Sequence, residues 1–225
     1  MPKIIQNWPI SPDLISENIQ SLKTNKKVRR VVTPCGKRIR GYFPSLKSPN
    51  RKARFESGLE LKVLELLELS GDVKEIKTHP YVLKLTEKLT GLSIDYTPDI
   101  EIRTQDGLAL LEVKGVPYLQ SKAQRERLTL ISNALRDANV PFFTVLSNDL
   151  DDWRHKSLIS ELLRERPWPR YGIRGANNAV GQDTMDEPSA SFKARWQSLS
   201  TACDALLGAV FSRTLQETLS KVEVA

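Results

Sequence analysis

The order of hydrophobic patterns between residues 56 and 148 constrains the fold of this chain more than any other feature. A broad apolar stripe with helical spacing covers residues 57–69, and after Gly71 the pattern changes to short segments rich in alternating and β-branched residues. A second helical pattern covers residues 120–138. The candidate strands are residues 73–77, 81–85, 93–103, 108–114 and 141–146. This order predicts one α/β domain that runs helix, several strands, helix and final strand.

The composition changes again after residue 148. Residues 153–166 have a helical pattern that ends at a Pro-Trp-Pro sequence, and residues 174–190 are rich in small and polar residues that are typical of a loop or linker. Apolar residues then recur at helical spacing over residues 192–219. We therefore expect residues 149–225 to form a small helical C-terminal region, which is a candidate for binding a partner.

The positive charge of the chain is concentrated at its N-terminus. Residues 1–55 carry 13 Lys and Arg and two acidic residues, a net charge of +11, whereas residues 56–225 carry 21 basic and 25 acidic residues, a net charge of −4. Frequent prolines and glycines predict a basic arm, and aromatic residues between its basic clusters suit a DNA backbone. A solvated tail is the alternative. The candidate DNA-binding residues are Lys26, Lys27, Arg29, Arg30, Lys37, Arg38, Arg40, Lys47, Arg51, Lys52 and Arg54.

Composition excludes several other classes of protein. Cys35 and Cys203 are too few for a disulfide framework or a structural zinc site, which favours a reducing cytosol. The two histidines, His79 and His155, argue against enzymes built on histidine clusters. The sequence has no apolar run of the ~18 residues that a membrane span needs, and residues 1–12 lack the pattern of a secretion signal. We expect a cytoplasmic protein.

Three carboxylates and one lysine form the chemically most informative group. Asp99 begins an alternating segment, and a turn at residues 105–107 leads into a strand that contains Glu112 and Lys114. Residues two apart face the same side of a strand, and the turn predicts antiparallel neighbours that bring Asp99 near Glu112. Glu60 lies inside the apolar stripe of the first helix. Clustered carboxylates are stabilised by a hard divalent cation, so these residues predict a metal site.

Each of these residues also has a purely structural interpretation. Ser57 and Glu60 fit a capping box, in which Glu60 satisfies a backbone N–H at the start of the helix. Glu112 and Lys114 fit a charge pair on an exposed sheet face. Glu101 and Arg103, on the preceding strand, are expected to be solvated residues of the sheet face.

The order of short motifs carries a resemblance to a known family. The motifs are RGYFPS at residues 40–45, RFESGLE at 54–60, YTPD at 96–99 and EVK at 112–114. Pro98-Asp99 with Glu112-Val113-Lys114 resembles the signature of the PD-(D/E)xK nuclease superfamily. The flanking motifs are similar to those of the TnsA family, the endonuclease subunit of Tn7-like heteromeric transposases, over about residues 36–148. This resemblance implies a restriction-endonuclease-like core of helix, mixed sheet, helix and strand.

The resemblance also implies roles for individual residues. Asp99 and Glu112 would hold Mg²⁺, which Mn²⁺ would replace, with Glu60 as a further or outer ligand. Lys114 would position or activate the hydrolytic water. The family often has Gln-Pro where this chain has His79-Pro80, so no role is carried over to His79.

The implied function is hydrolysis of phosphodiester bonds at the 5′ ends of a mobile element during excision. The implied partners are double-stranded DNA, a DDE-type transposase that acts at the 3′ ends and an AAA+ regulator, in the bacterial cytoplasm at the nucleoid. Gln124 and Arg125, on the helix after the EVK motif, are candidates for contacts to phosphate. Two alternatives stay open: a stand-alone restriction-type or repair endonuclease, and a DNA-binding assembly subunit that does not cut.

Overall fold

The computed structural model describes residues 11–28, 39–88, 91–105, 107–151, 156–166 and 188–223, and these form a mixed α/β structure. The helices are α1 (Pro12–Leu22), α2 (Gly58–Leu69), α3 (Val116–Leu119), α4 (Lys122–Asp137), α5 (Asn148–Asp151), α6 (Lys156–Glu165), α7 (Ala190–Phe211) and α8 (Leu215–Glu223). The strands are β1 (Gly41–Pro44), β2 (Lys52–Phe55), β3 (Glu75–Thr78), β4 (Leu83–Thr86), β5 (Ser93–Tyr96), β6 (Ile100–Arg103), β7 (Leu108–Lys114) and β8 (Phe142–Leu146).

The central sheet has four strands in the order β3-β6-β7-β8. The β3-β6 and β6-β7 pairs are antiparallel, whereas β7 and β8 are parallel and are connected through α3 and α4. The predicted hairpin is confirmed, with Ile100 opposite Leu111 and Arg103 opposite Leu108. Two further pairs, β1-β2 and β4-β5, form separate antiparallel hairpins. The sheet is therefore mixed, and its one parallel pair follows a long helical connection, as parallel pairs require.

Both faces of the central sheet are covered. On one face, Ile76, Ile102 and Leu111 pack in a core with α2, α6 and α7. On the other face, Leu108 and Leu110 pack with α1, α4 and the β4-β5 hairpin. Strand β7 is buried from Leu108 to Val113 because it is central to the sheet and lies between these two layers.

Two described parts of residues 1–55 differ from the predicted arm. Helix α1 buries Ile15 and Ile19 against the β4-β5 hairpin and β7, so it belongs to the second core. The β1-β2 hairpin buries Phe43, Ala53 and Phe55 in the first core. Of the prolines and glycines that indicated an arm, Pro12 starts α1 behind its N-cap Ser11, and Gly41 and Pro44 are the two end residues of β1. The basic segment is consequently built onto the domain along much of its length.

The helical C-terminal region is confirmed in its described parts, but it shares the core of the domain. Helix α7 packs on α2 and β8, and Phe211 stacks on Phe143 with ring centroids 4.7 Å apart. The helical pattern predicted over 192–219 is divided between α7 and α8. The chain restarts at α8 because the Thr214 hydroxyl accepts from the Glu217 N–H at 3.2 Å and the Glu217 carboxylate accepts from the Thr214 N–H at 2.7 Å, which is a capping box. None of the helices among the described residues is long and apolar enough to cross a membrane.

Candidate active site and metal centre

The register of the central sheet brings three side chains into one row. Thr78 pairs with Ile100 and Ile100 pairs with Leu111, so one residue further along the ladder His79, Asp99 and Glu112 lie side by side. The His79 N–H continues the ladder by donating to the Asp99 carbonyl at 2.9 Å. The row lies just after the last residue of β3 and just before the first residue of β6, and β7 continues past it to Lys114.

Asp99 is the central group of this row. One of its carboxylate oxygens, Oδ2, accepts a hydrogen bond from the Val113 N–H at 2.8 Å and lies 3.6 Å from the Lys114 ammonium nitrogen. Burial raises the pKa of Asp99 well above its usual range, and the nearby Glu112 carboxylate raises it further. An ionised Asp99 is thus costly in the metal-free protein, and a nearby cation would relieve the cost.

Glu112 and Lys114 project from the same side of β7, as predicted. The Lys114 ammonium group forms an ion pair with Glu112 Oε1, and the hydroxyl of buried Tyr96 donates to Glu112 Oε2 at 2.7 Å. Burial lowers the pKa of Lys114, but Glu112 and Asp99 raise it more, so the net shift is upward. Glu112 is buried, so the pair does not lie on an exposed sheet face.

Glu60 forms the predicted helix cap and also lies beside Asp99 and His79. Ser57 caps α2 by accepting from the Glu60 N–H at 3.1 Å, and Glu60 Oε1 accepts from the Ser57 hydroxyl at 2.9 Å. Glu60 Oε2 accepts from the Glu56 N–H at 2.8 Å. The side chain is nevertheless buried and faces the row of strand residues, and this burial raises its pKa.

His79 was not expected in the site. Its backbone φ of 45° is in the left-handed region, where residues other than glycine are uncommon. Its side chain is 8% exposed, with Nε2 at 3.7 Å from Glu60 Oε2 and 3.8 Å from Glu56 Oε1, while Nδ1 is buried without a hydrogen-bond partner. Burial, with the positive charges of Arg54 and Lys114, lowers the pKa of His79 to about 4. A neutral imidazole with an unused nitrogen can serve as a metal ligand.

The donor atoms of Glu60, His79 and Asp99 form a group that could hold a metal ion. Among the described residues, one ligand atom from each of these three side chains lies within 4.8 Å of the other two. Two carboxylates and one imidazole fit a divalent cation, and His79 Nε2 lies 3.7 Å from Glu60 Oε2. Glu112 lies next to this group but outside it, since its two oxygens face Lys114 and Tyr96. The predicted ligand set of Asp99, Glu112 and Glu60 thus overlaps this group in two residues.

The expected DNA-binding residues have several different environments. Arg29, Arg30, Lys37 and Arg38 lie outside the described residues. Lys27 and Lys52 are exposed, Lys26 is exposed in an ion pair with Asp95, and Arg40 is half-buried. Arg51 donates to the Leu46 carbonyl at 3.3 Å, and Arg54 forms an ion pair with Glu56 at 3.0 Å.

Lys47 points inwards. Its ammonium group donates to the carbonyls of Leu67 and Ser70 at the end of α2, and burial lowers its pKa to about 8. This environment directs the ammonium group of Lys47 into the domain rather than toward a phosphate, which corrects its place among the DNA-binding candidates.

Sequence reasoning missed two other features near the site. Glu101 is buried rather than solvated, because it accepts from the Tyr81 hydroxyl at 2.6 Å and from the Lys77 ammonium at 3.1 Å. Tyr96 orients Glu112, as described above. The YTPD motif contains Tyr96, but an isolated tyrosine two residues before a proline gives no indication of its hydrogen-bond partner. His79 could have been found only from the β3-β6 register.

Comparison with models of protein families finds no match, and comparison with curated proteins finds no similar chain.

Proposed function

We propose that this protein is a metal-dependent DNA endonuclease. The observation that carries the proposal is the convergence of Asp99, Glu112 and Lys114 in one buried group beside Glu60 and His79. A carboxylate pair with an adjacent lysine and a metal group suits hydrolysis of a phosphodiester, in which negative charge increases on the phosphoryl oxygens. The order of the elements, which is helix, mixed sheet, helix and strand, is compatible with this proposal.

The proposed reaction is attack of a water oxygen on phosphorus. The new P–O bond forms as the bond to the leaving oxygen breaks, and the water loses a proton while the leaving oxygen gains one. A divalent cation bound at the site would supply Lewis-acid polarisation of a phosphoryl oxygen and a lower pKa for water. The resemblance assigns Lys114 to positioning or activating the water, and the ion pairs of Lys114 favour positioning and stabilisation of negative charge. Its upward-shifted pKa keeps the ammonium group protonated.

The exposed lysines of the N-terminal segment support DNA as the substrate. Lys27 and Lys52 are exposed, and exposed lysines can replace condensed counterions on a DNA backbone. Lys26 forms an ion pair with Asp95 on β5, and the YTPD motif, which ends at Asp99 of the site, begins at the next residue. We infer that these lysines hold the DNA backbone and that the acidic site cuts it.

A more specific function is proposed from the resemblance to the TnsA family. The motifs that carry this resemblance are RGYFPS, RFESGLE, YTPD and EVK. The chain would be the subunit of a heteromeric transposase that cuts the 5′ ends of a mobile element with Mg²⁺. A DDE-type transposase would process the 3′ ends, and an AAA+ regulator would control both. The helical C-terminal region, residues 149–225, is the proposed contact for a partner.

The direct test is a cleavage assay on a plasmid that carries the ends of the element encoding the chain. We expect breaks at the 5′ ends with Mg²⁺ or Mn²⁺, none with EDTA, and the highest yield when the transposase and the regulator are present. Cutting at the same rate without partners would favour the stand-alone nuclease. No cleavage with either ion in any combination of subunits would overturn the proposed activity.

A further inference from the structure

A cavity of about 330 Å³ opens beside Glu112 and Lys114. It is bounded by the end of β5, by α3 and by the first three turns of α4, so it lies on the α4 side of the row, where Lys114 separates it from Asp99. Ligand pockets in proteins begin at about this size. The proposed catalytic chemistry accounts for Glu112 and Lys114 but gives no role to the rest of the lining.

Three buried apolar side chains form the back of the cavity. Leu119, Leu128 and Ile131 line it, and each is buried in the domain. The Arg125 guanidinium braces the adjoining turn by donating to the carbonyls of Leu119 and Gln120, each at 3.1 Å. Arg125 is therefore occupied by the protein backbone, whereas Gln124 faces the cavity. Most of the surface that the lining exposes is polar, so the surface on which a flat ring can stack is that of Tyr118 at the mouth.

The mouth of the cavity combines an aromatic ring with cations. Tyr118 is 45% exposed, and the Lys114 ammonium nitrogen lies 5.6 Å from the centre of its ring. Arg127 lines the opposite side, and among the described residues its hydrogen-bond partner is the Asp95 carbonyl at 3.5 Å. The two carboxylates of the lining are ion-paired, Asp95 with Lys26 outside the cavity and Glu112 with Lys114 inside it, and Arg127 is the further cation of the lining. The mouth can therefore accept an anionic group next to an aromatic surface.

We propose that this cavity binds the base and sugar of the DNA nucleotide that adjoins the scissile phosphate. This inference rests on the proposed nuclease function. The base would stack on the exposed Tyr118 ring, with its phosphates between Lys114 and Arg127. A base held there has left the duplex stack, as happens in other enzymes that act on DNA. Stacking on an exposed aromatic residue accepts any base, so the cavity positions the strand for cutting without reading its sequence.

The test uses two mononucleotide probes and needs neither cleavage nor a known target sequence. Thymidine 3′,5′-bisphosphate carries base, sugar and two phosphates, and 2-deoxyribose 3,5-bisphosphate lacks only the base. Binding is measured by calorimetry with Ca²⁺ present. We expect the wild-type protein to bind the thymidine probe at least about tenfold more tightly, in line with base–aromatic stacking. Tyr118→Leu should abolish this preference, Tyr118→Phe should keep it, and Arg127→Ala should weaken both probes.

Leu158→Ala is the matched control, because Leu158 is 46% exposed and is not part of this cavity. It should leave both affinities within twofold of wild type. The inference would be overturned if the wild type bound the two probes with equal affinity or bound neither at millimolar concentration. It would also be overturned if Tyr118→Leu lost the same amount of affinity for both probes. Because the assay contains no cleavage step, these outcomes are distinct from failure of the nuclease assay.

Discussion

The Lys114→Ala variant is expected to cleave DNA about 10²- to 10³-fold more slowly than the wild type. A loss of this size is typical when one preorganised group that stabilises the negative charge of the transition state is removed. Its ability to bind a divalent cation should persist or improve. The reason is that the Lys114 ammonium lies 3.6 Å from Asp99 Oδ2, where a positive charge competes with a metal ion. Single-turnover cleavage and calorimetric titration with Mn²⁺ measure the two effects separately.

Lys77→Ala is the matched control for this variant. Lys77 also pairs with two carboxylates of the central sheet, Glu101 at 3.1 Å and Glu75 at 3.2 Å. We expect cleavage by Lys77→Ala within about threefold of wild type, because no proposed reacting group contacts it, a change of under 1 kcal/mol in the barrier. Cleavage by Lys114→Ala at the wild-type rate would contradict the role of Lys114. An equal loss of cleavage in both variants would indicate a structural effect.

The Arg166→Met variant is expected to lose about 3–5 kcal/mol of unfolding free energy, because the buried Glu68 carboxylate loses its positively charged partner. Arg166, which follows α6, is 6% exposed and donates to Glu68 Oε1 on α2 at 2.7 Å, and Glu68 is 1% exposed. Glu68 also accepts from the Ser45 hydroxyl at 2.6 Å and from the Leu46 N–H at 2.8 Å. This network connects the C-terminal helices to the β1-β2 hairpin through the middle of the domain. Urea unfolding measures the change.

Arg195→Met is the control for the buried arginine. Arg195 on α7 pairs with Glu161 at 2.7 Å and Glu165 at 2.9 Å on α6, but its side chain is 43% exposed. An exposed pair contributes about 0.2–1 kcal/mol, so this variant should be nearly as stable as wild type. Adding Glu68→Gln to Arg166→Met should recover part of the loss, because a neutral amide leaves no buried charge. Similar losses in the Arg166 and Arg195 variants would contradict the account.

The β6-β7 hairpin and the shared side of Glu112 and Lys114 could be predicted from the sequence because the determinants are local. The turn at residues 105–107 fixes an antiparallel pair, and alternation along a strand places Glu112 and Lys114 on one side. Helix α2 was equally accessible, since its apolar stripe and its Ser57 cap lie within one short segment. The burial of Glu60 follows from the same apolar stripe. These predictions needed no information about distant contacts.

The remaining features depend on pairing between distant segments. His79 reaches the site only through the β3-β6 register, and the β4-β5 hairpin separates these two strands in the sequence. Glu101 is buried by Tyr81 and Lys77, which lie about 20 residues away along the chain. The basic N-terminal segment was predicted as an arm because its turns are frequent, whereas Ile15, Ile19 and Phe43 find their buried partners beyond residue 60. Local composition carries no information about such partners.

The central claim is that Asp99 belongs to a metal site that supports cleavage, and thermal unfolding with added Mn²⁺ or Mg²⁺ tests it most directly. A cation that binds only the folded protein contributes about 2.7 kcal/mol at 100 times its dissociation constant. For a chain of 225 residues this predicts a rise in Tm of about 5–10 °C. Asp99→Asn should abolish the rise and should not lower the Tm of the metal-free protein, because it removes a buried charge beside Glu112. No rise in the wild type, or an equal rise in Asp99→Asn, would contradict the account.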